Sequence, residues 1–368
     1  SLGDIGGMDA ITVYGHLAPG FDVALSPDGK QVATTAIGSS LGDEQIKVWT
    51  LGEMKESRGF PTKEGLFHTL AFSRDSQFLA VASGGSGSIQ RQGSTSIWNL
   101  ETGGRHLELE GAPCMFAHPS FSPQGDRLAV VYGNLNLGQI QIFSFPEGEK
   151  LHQIDIAGER LTCATFSPDG KHLLAASLPG KKIRIWDVET GTEQESSMTL
   201  DGGGFRMAMS SQGILAASEM DQSISLWDWE TRTKVGQLVG HGAVSIDLEF
   251  SPDGKRLLSG SEDMTAKLWD VTTQREILTF HDHRGNVFGT AWAATGDTIA
   301  TYGHDGALRL RSIQSQSDDR NEEEWLTVFE DDFEREEPGV AWDGVGENWK
   351  IQDGRFVGTL VDVPVAGG

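Results

Sequence analysis

"LEFSPDGKRLLSG", residues 248–260, holds a turn between two apolar runs. Ser251 sits where a side-chain hydroxyl can bond the backbone, and Pro252 presets φ at the second position. Asp253 suits the third position, and Gly254 takes the left-handed fourth. Flanked by apolar residues, the stretch reads as a β-hairpin built on a type I turn with a glycine bulge. "SPDGK" also stands at 26–30 and 167–171. Degraded copies fill the gaps: "FSRDSQFLAVAS" from Phe72, "FSPQGDRLAVVYG" from Phe121, "MSSQGILAAS" from Met209 and "WAATGDTIATYG" from Trp292. Marked by the turn serine or its equivalent, the series runs 26, 73, 122, 167, 210, 251, 293, in steps of 41 to 49 residues.

A second landmark follows each turn: "IKVWT", "TSIWNL", "IQIFSF", "IRIWDVETG", "ISLWDWETR", "AKLWDVTTQ" and "LRLRSI". Its aromatic position falls at 49, 98, 143, 186, 227 and 269, and Arg311 occupies the seventh. A period of roughly 40–45 residues, with short strands and a Trp-Asp pair in register, resembles the WD40 repeat. The resemblance covers 11–313 and implies an all-β, seven-bladed propeller. "AITVYGH" (10–16) has no blade before it, and "LRLRSI" has no fourth strand after it. The two halves fit, so the N-terminal strand is expected to close the ring, leaving 1–10 as a tail. One four-stranded blade cannot bury both faces, and joining first to last removes the exposed ends.

Net charge is −24 and 22% of residues are charged. Such a surface repels phosphate backbones, so nucleic acid is not an expected partner. No apolar run reaches the length of a membrane span, so no membrane insertion is expected. Cys114 and Cys163 fit no metal spacing and read as small buried apolar residues. The compartment is left open, since the chain starts at Ser1 and a signal or further domains could have preceded it.

Blade six offers the residue types of a hydrolase triad, His241, Ser259 and Asp263, beside Trp269. The same positions hold His16, Thr34, Asp43 and Trp49 in blade one, and His283, Thr301 and Asp305 in blade seven. A catalytic set is needed once, whereas this one recurs with the repeat. The resemblance implies a buried hydrogen-bond network tying a loop to the inner strands. Gly180, Ala217 and Arg311 break the pattern in blades four, five and seven, which is expected to loosen those blades. "HDH" (281–283) could pair metal ligands, but His283 already has its structural place, and "SGGSGS" (83–88) lacks a phosphate-loop register. No catalytic residue, metal or cofactor is therefore expected.

Function is expected where the period breaks. Insertions follow the second strands of blades one, two and three, around "AIGSSLGDE" (36–44), "SGGSGSIQRQGST" (83–95) and "YGNLNLG" (132–138). These loops should share one face. Their candidate contacts for a protein or peptide partner are Ser39, Ser40, Ser88, Gln90, Arg91, Asn134 and Asn136.

From 314 to 324 the chain reads as an acidic linker. Between Ser317 and Glu337 eleven acids face only Arg320 and Arg335. Within 325–368, "NWKIQDGRFVGTL" signals a hairpin at its Asp-Gly. The pattern "FEDDFER", tryptophans and "DG" is similar to the start of concanavalin-like β-sandwich domains found behind bacterial propellers. That resemblance implies a truncated domain and an alternative role in binding or processing glycans. The leading expectation is a non-enzymatic scaffold for protein partners.

Overall fold

The computed structural model describes residues 10–14, 16, 18–37, 46–53, 55–60, 67–85, 91–135, 137–178, 180–195 and 198–313, with strands 349–352 and 355–358. Among them, seven four-stranded antiparallel sheets follow one another along the chain. Blades one to six span 20–60, 67–114, 116–157, 160–194, 204–238 and 245–280. The seventh takes its inner three strands from Val287–Trp292, Thr298–Gly303 and Ala307–Ser312, and its outer strand from Ile11–Tyr14. The closure is in register, with Ile11 opposite Leu310 and Tyr14 opposite Ala307.

The quoted turn forms as its residues dictate. Gly254 adopts a φ of 68° and donates its N–H to Ser251 O at 2.8 Å. Ser251 Oγ accepts the Arg256 N–H at 2.9 Å and donates to Asp253 Oδ1 at 2.6 Å. The same hydroxyl-to-carboxylate bond recurs at Ser26, Ser73 and Ser167. In the degraded copy of blade two, Ser76 takes the glycine place at a φ of 60°.

Core clusters lie between neighbouring blades. One joins Ala33, Val48 and Phe60 of blade one to Leu70, Leu79 and Trp98 of blade two, and another joins Val23 and Trp49 to Ala300 and Tyr302 across the closure. Burying both faces of every blade explains why second strands such as Gln31–Ala36 are buried almost throughout rather than alternately. The chain divides into two compact units, 1–315 and 316–368. In the second, Trp349–Gln352 pairs antiparallel with Arg355–Gly358, the hairpin expected around Asp353-Gly354.

Candidate functional site

The blade-six triad forms a closed relay. His241 Nδ1 lies 2.8 Å from Asp263 Oδ2, and Nε2 lies 2.7 Å from Ser259 Oγ. With Nδ1–H given to the carboxylate, Nε2 accepts and the Ser259 hydroxyl donates to it. Trp269 Nε1–H then donates to Ser259 Oγ at 2.8 Å. Burial works to raise the Asp263 pKa, but hydrogen bonds from His241, Thr265 and the Gly242 amide outweigh it and hold the carboxyl well below its usual range. Ser259 has 0% exposure, so its oxygen is sealed from solvent inside the relay.

Blade one repeats the relay: His16 Nε2 lies 2.9 Å from Thr34 Oγ1, which accepts from Trp49 Nε1 at 3.0 Å. Asp43 lies outside the described residues. In blade seven, His283 Nε2 is 2.9 Å from Thr301 Oγ1 and Nδ1 is 3.1 Å from Asp305. Here Arg311, in the tryptophan place, supplies the missing donor. Its Nη1 reaches Thr301 Oγ1 at 3.1 Å, its Nη2 bonds Asp282, and it stacks 4.2 Å over Phe280. Arg309 joins the cluster, bonding Asp305 at 3.1 Å and Asp282 O at 2.6 Å. Burial lowers the His283 pKa; Asp305 opposes this and Arg309 reinforces it. A planar guanidinium in the tryptophan place thus supplies the Thr301 donor and adds an ion pair.

Two more departures are repaired locally. In blade five, where Ala217 replaces the serine, Trp227 Nε1 donates instead to Ser225 Oγ at 3.0 Å, and buried Glu219 accepts the Gly202 N–H at 2.7 Å. In blade four, Ser177 Oγ donates to Glu159 at 2.8 Å, filling the space that a side chain at Gly180 would need.

A feature that the repeat pattern does not announce lies on the innermost strands, where Asp22, His118, Arg206 and Asp247 line the central cavity. Counting four residues back from each turn serine gives one residue per blade: Asp22, Thr69, His118, Cys163, Arg206, Asp247 and Gly289. Several stitch one blade to the next. Asp22 Oδ2 accepts the Leu70 N–H at 2.8 Å, Thr69 Oγ1 donates to Ala117 O at 2.6 Å, and Arg206 Nε donates to Asp247 Oδ1 at 3.1 Å. Asp247 Oδ2 accepts the Thr290 N–H at 2.7 Å. Two places further on stand small residues such as Ala24, Ala71 and Ala208, and a single acid, Glu249. They open a cavity of about 320 Å³.

Burial, reinforced by Asp247, pushes Asp22 up to about 7, although Arg206 opposes it. Glu249 is pushed to about 8 by desolvation and by its neighbours Asp247 and Asp22. Burial also raises Asp247 against the pull of Arg206, and burial with Arg206 keeps His118 well below its ordinary value. The cysteines behave as apolar fillers: both are buried, and burial pushes the Cys114 thiol up to about 12. In "HDH", Asp282 is engaged by Arg309 and Arg311 and His283 by the relay. Among the described residues, no group of three potential ligands is placed to hold a metal.

Because each sheet is an antiparallel meander, the connections after the second and fourth strands all emerge at one end of the ring. The strand ends that flank the insertions of blades one and two, Ala36 with Ile46 and Gly84 with Arg91, are on that end; the loop expected in blade three is only 134–136, because its added residues extend the strands Arg127–Gly133 and Leu137–Ser144. Ser39, Ser40, Ser88, Gln90 and Asn136 lie outside the described residues. Arg91 begins the third strand of blade two, its backbone opposite Cys114. Asn134 turns inward: its Nδ2 donates to Pro113 O at 3.0 Å, and its Oδ1 accepts the Leu137 N–H at 2.9 Å. Beside it, Leu135 is exposed, a contact candidate that reading for polar loop residues passes over.

Three stretches, 149–187, 232–270 and 274–312, match the family described as WD domain, G-beta repeat. The chain carries WD40 repeats. Each match starts with the outer strand of one blade and runs through three strands of the next, so blades four, six and seven hold the pattern best. Among similar proteins, a component of chromatin assembly factor 1 from Mus musculus is 28% identical over 151 residues, 41% of this chain and 23% of that protein. The beta chain of a guanine nucleotide-binding protein from Saccharomyces cerevisiae is 29% identical over 164 residues, 41% of this chain and 38% of its own. Coronin-7 of Bos taurus is 38% identical over 154 residues, 42% of this chain and 13% of its own. The WD40 chain thus spans well under half the length of each of these relatives.

Proposed function

We propose that this WD40 propeller is a non-enzymatic scaffold that binds protein or peptide partners through the face carrying the enlarged loops of blades one to three. The observation that carries the reading is where the repeat breaks. Blades one and two enlarge the connection after their second strands, between Ala36 and Ile46 and between Gly84 and Arg91, whereas blade three lengthens the strands Arg127–Gly133 and Leu137–Ser144 and leaves only 134–136 between them, all at one end. Two facts support it. The triad-like set of blade six is sealed inside its blade, and the similar proteins bear the names of subunits of a chromatin assembly factor and of a guanine nucleotide-binding protein. An acidic body would guide basic partner surfaces to this face.

The test is capture from lysate by the full chain and by a variant lacking 86–90, with cross-linking to locate the contact. The deletion stops at Gln90 because Arg91 and Gln92 pair with the neighbouring strand, and Gly93 packs against Tyr132. Loss of a saturable partner with unchanged melting supports the proposal; equal capture by both proteins overturns the choice of loops. The glycan alternative rests on the resemblance of 325–368, of which only the short hairpin is described. Neither that domain type nor a bacterial setting gains support from the relatives above, all of which are eukaryotic.

A further inference from the structure

The central cavity is bordered by a ring of equivalent positions, two residues after the interblade set on each innermost strand. Six of the seven are small and uncharged: Ala24, Ala71, Ser120, Thr165, Ala208 and Ala291. The seventh, in blade six, is Glu249, which is exposed to the cavity. The charged groups that act on it are Asp247 and Asp22, both acids, and among the described residues it makes no hydrogen bond or ion pair. An acid set among like charges without a partner is costly to the fold, and such groups concentrate at functional sites.

Among the described residues, five titratable side chains border the cavity. Blade one gives Asp22, whose oxygens accept the Val23 and Leu70 N–H groups. Blade six gives Glu249 and Asp247, the latter bonded to Arg206 Nε at 3.1 Å and to the Thr290 N–H at 2.7 Å. Blade five gives Arg206, and blade three gives His118, kept neutral by burial and by Arg206. Blades two, four and seven border the cavity with uncharged residues, and burial holds Cys163, beside Arg206, as the thiol. Three carboxyls thus share one guanidinium that is already bonded to one of them, and the imbalance favours a cation. Among the described residues no three ligands are placed for a metal. Ala24, Ala71 and Met207 instead offer an apolar wall. At about 320 Å³ the cavity stands at the lower end of small-molecule sites.

We propose that the central cavity binds a primary ammonium group carried on a short alkyl chain, with the Glu249 carboxylate as its counter-charge. An ammonium has three donors and no acceptor, which suits a site whose free oxygens are acceptors. The alanines of the ring receive the chain. Binding requires Glu249 to be ionised. Burial beside Asp247 and Asp22 pushes that carboxyl up to about 8, and Asp22 stands at about 7. Affinity therefore rises with pH through this interval, while an alkylammonium stays charged as a lysine does. The site does not depend on the loops of blades one to three.

The experiment titrates the full chain with n-butylamine by calorimetry at low salt, and carbon-13 methyl NMR of the methionines locates the contact. Met207 and Met209 line the cavity, so their methyl signals should shift saturably. Binding should tighten at least about 10-fold from pH 6 to pH 8. Butyrate, of opposite charge, should not bind. Tetramethylammonium, which has no N–H, should bind at least about 10-fold more weakly. Glu249→Gln should weaken n-butylamine at least about 10-fold at pH 8 and resist urea no less than wild type, since it removes a like charge beside Asp247 and Asp22. Ala71→Leu narrows the cavity without touching a charge and should weaken binding as well. Lysine blocked at its α-amino and α-carboxyl groups identifies the source of the ammonium. Equal affinity admits a partner's side chain, and no binding restricts the site to free amines. No saturable binding at pH 8, an equal response to tetramethylammonium or butyrate, a flat pH profile, shifts that spare Met207 and Met209, or undiminished affinity in either variant would each overturn the proposal.

Discussion

Replacing Asp22 by asparagine tests the electrostatics of the channel. In the folded protein Asp22 is held at about 7 by burial and by Asp247, against an ordinary value of 3.8. A carboxyl raised on folding keeps its proton where the unfolded chain has already released it. Stability is therefore greatest below the unfolded value, falls as pH rises through the interval, and levels off above the folded value. For these two values the loss between pH 5 and pH 8 is on the order of 2–3 kcal/mol. The asparagine amide cannot titrate, so in the variant that part of the slope should vanish. Asparagine also exchanges one acceptor for a donor facing either the Val23 or the Leu70 N–H. That penalty, about 1–3 kcal/mol, is independent of pH and displaces the curve without tilting it.

Other groups leave their own signatures. His283, lowered by burial, loses stability as pH falls through 6.5 and so tilts the curve the other way, equally in both proteins. Glu249 is raised in the same sense as Asp22 and partly by it, so its slope also shrinks in the variant and adds to the difference. Asp263 and Asp305 titrate below the window. Urea unfolding of Asp22→Asn and wild type, from pH 5 to pH 8 at constant ionic strength, isolates the difference. Parallel curves would refute the account of a carboxyl held neutral between blades one and two.

Truncating Asp263 to alanine strands His241 Nδ1 and the Gly242 and Thr265 amides, and thermal or urea unfolding should show a loss of about 1–3 kcal/mol. Arg311→Met removes the Thr301 donor and an ion pair whose other member, Asp282, is partly exposed. A loss of about 1–3 kcal/mol is expected by the same assay, and a neutral result would mean that the guanidinium does not replace the indole. Gly133→Ala forces a methyl onto the carbonyl of Leu161 between blades three and four. It should cost about 1–3 kcal/mol and raise amide exchange along 127–133. Deleting 1–14 removes the strand opposite Ala307–Leu310, so a sharply lower melting temperature with early exchange in blades one and seven is the expected outcome.

The turn and the closing strand were legible because their signals are local or arithmetical. Five residues suffice to write "SPDGK", and a strand lacking at one end matches a strand left over at the other. The relay was legible because the histidine and its hydroxyl partner stand 18 residues apart in blades one, six and seven. The repairs were not, because they leave that register. Ser225 stands two residues before its tryptophan, Glu159 comes from a loop, and Arg311 looks like a lost aromatic until its Nη atoms are placed. The channel residues escaped for a different reason. Asp22, Thr69, His118, Cys163, Arg206 and Asp247 share a position but no chemical type, so a search for similarity discards them. Their kinship is geometric: all stand on innermost strands, where Asp22, Thr69, Arg206 and Asp247 bond the adjoining blade and Cys163 packs with Met207 of the next.

This difference bears on where the chain can vary. A buried relay tolerates change only when another donor or acceptor takes over, as Arg311 and Ser225 do, because an unpaired polar group inside a blade costs as much as the bond it replaces. The stretches that match the family pattern end in blades four, six and seven, and two of those three contain the complete relay. Blades one and two fall outside these matches, and blade three enters them only with its outer strand; all three are joined by apolar packing and by interblade bonds from Asp22 and Thr69, and blade one also holds its His16–Thr34–Trp49 bonds. A ring needs every interface but not the same interface each time. The longest insertion, in blade one, stands in a blade that has kept its relay, whereas the insertion in blade two stands in a blade joined to its neighbours by less specific apolar contacts. On that argument, inserting residues after the second strand of blade six should cost more stability than an equal insertion in blade two. The inserted chain in blade six would displace Asp263 from His241, whereas in blade two it would extend a connection that already departs from the repeat.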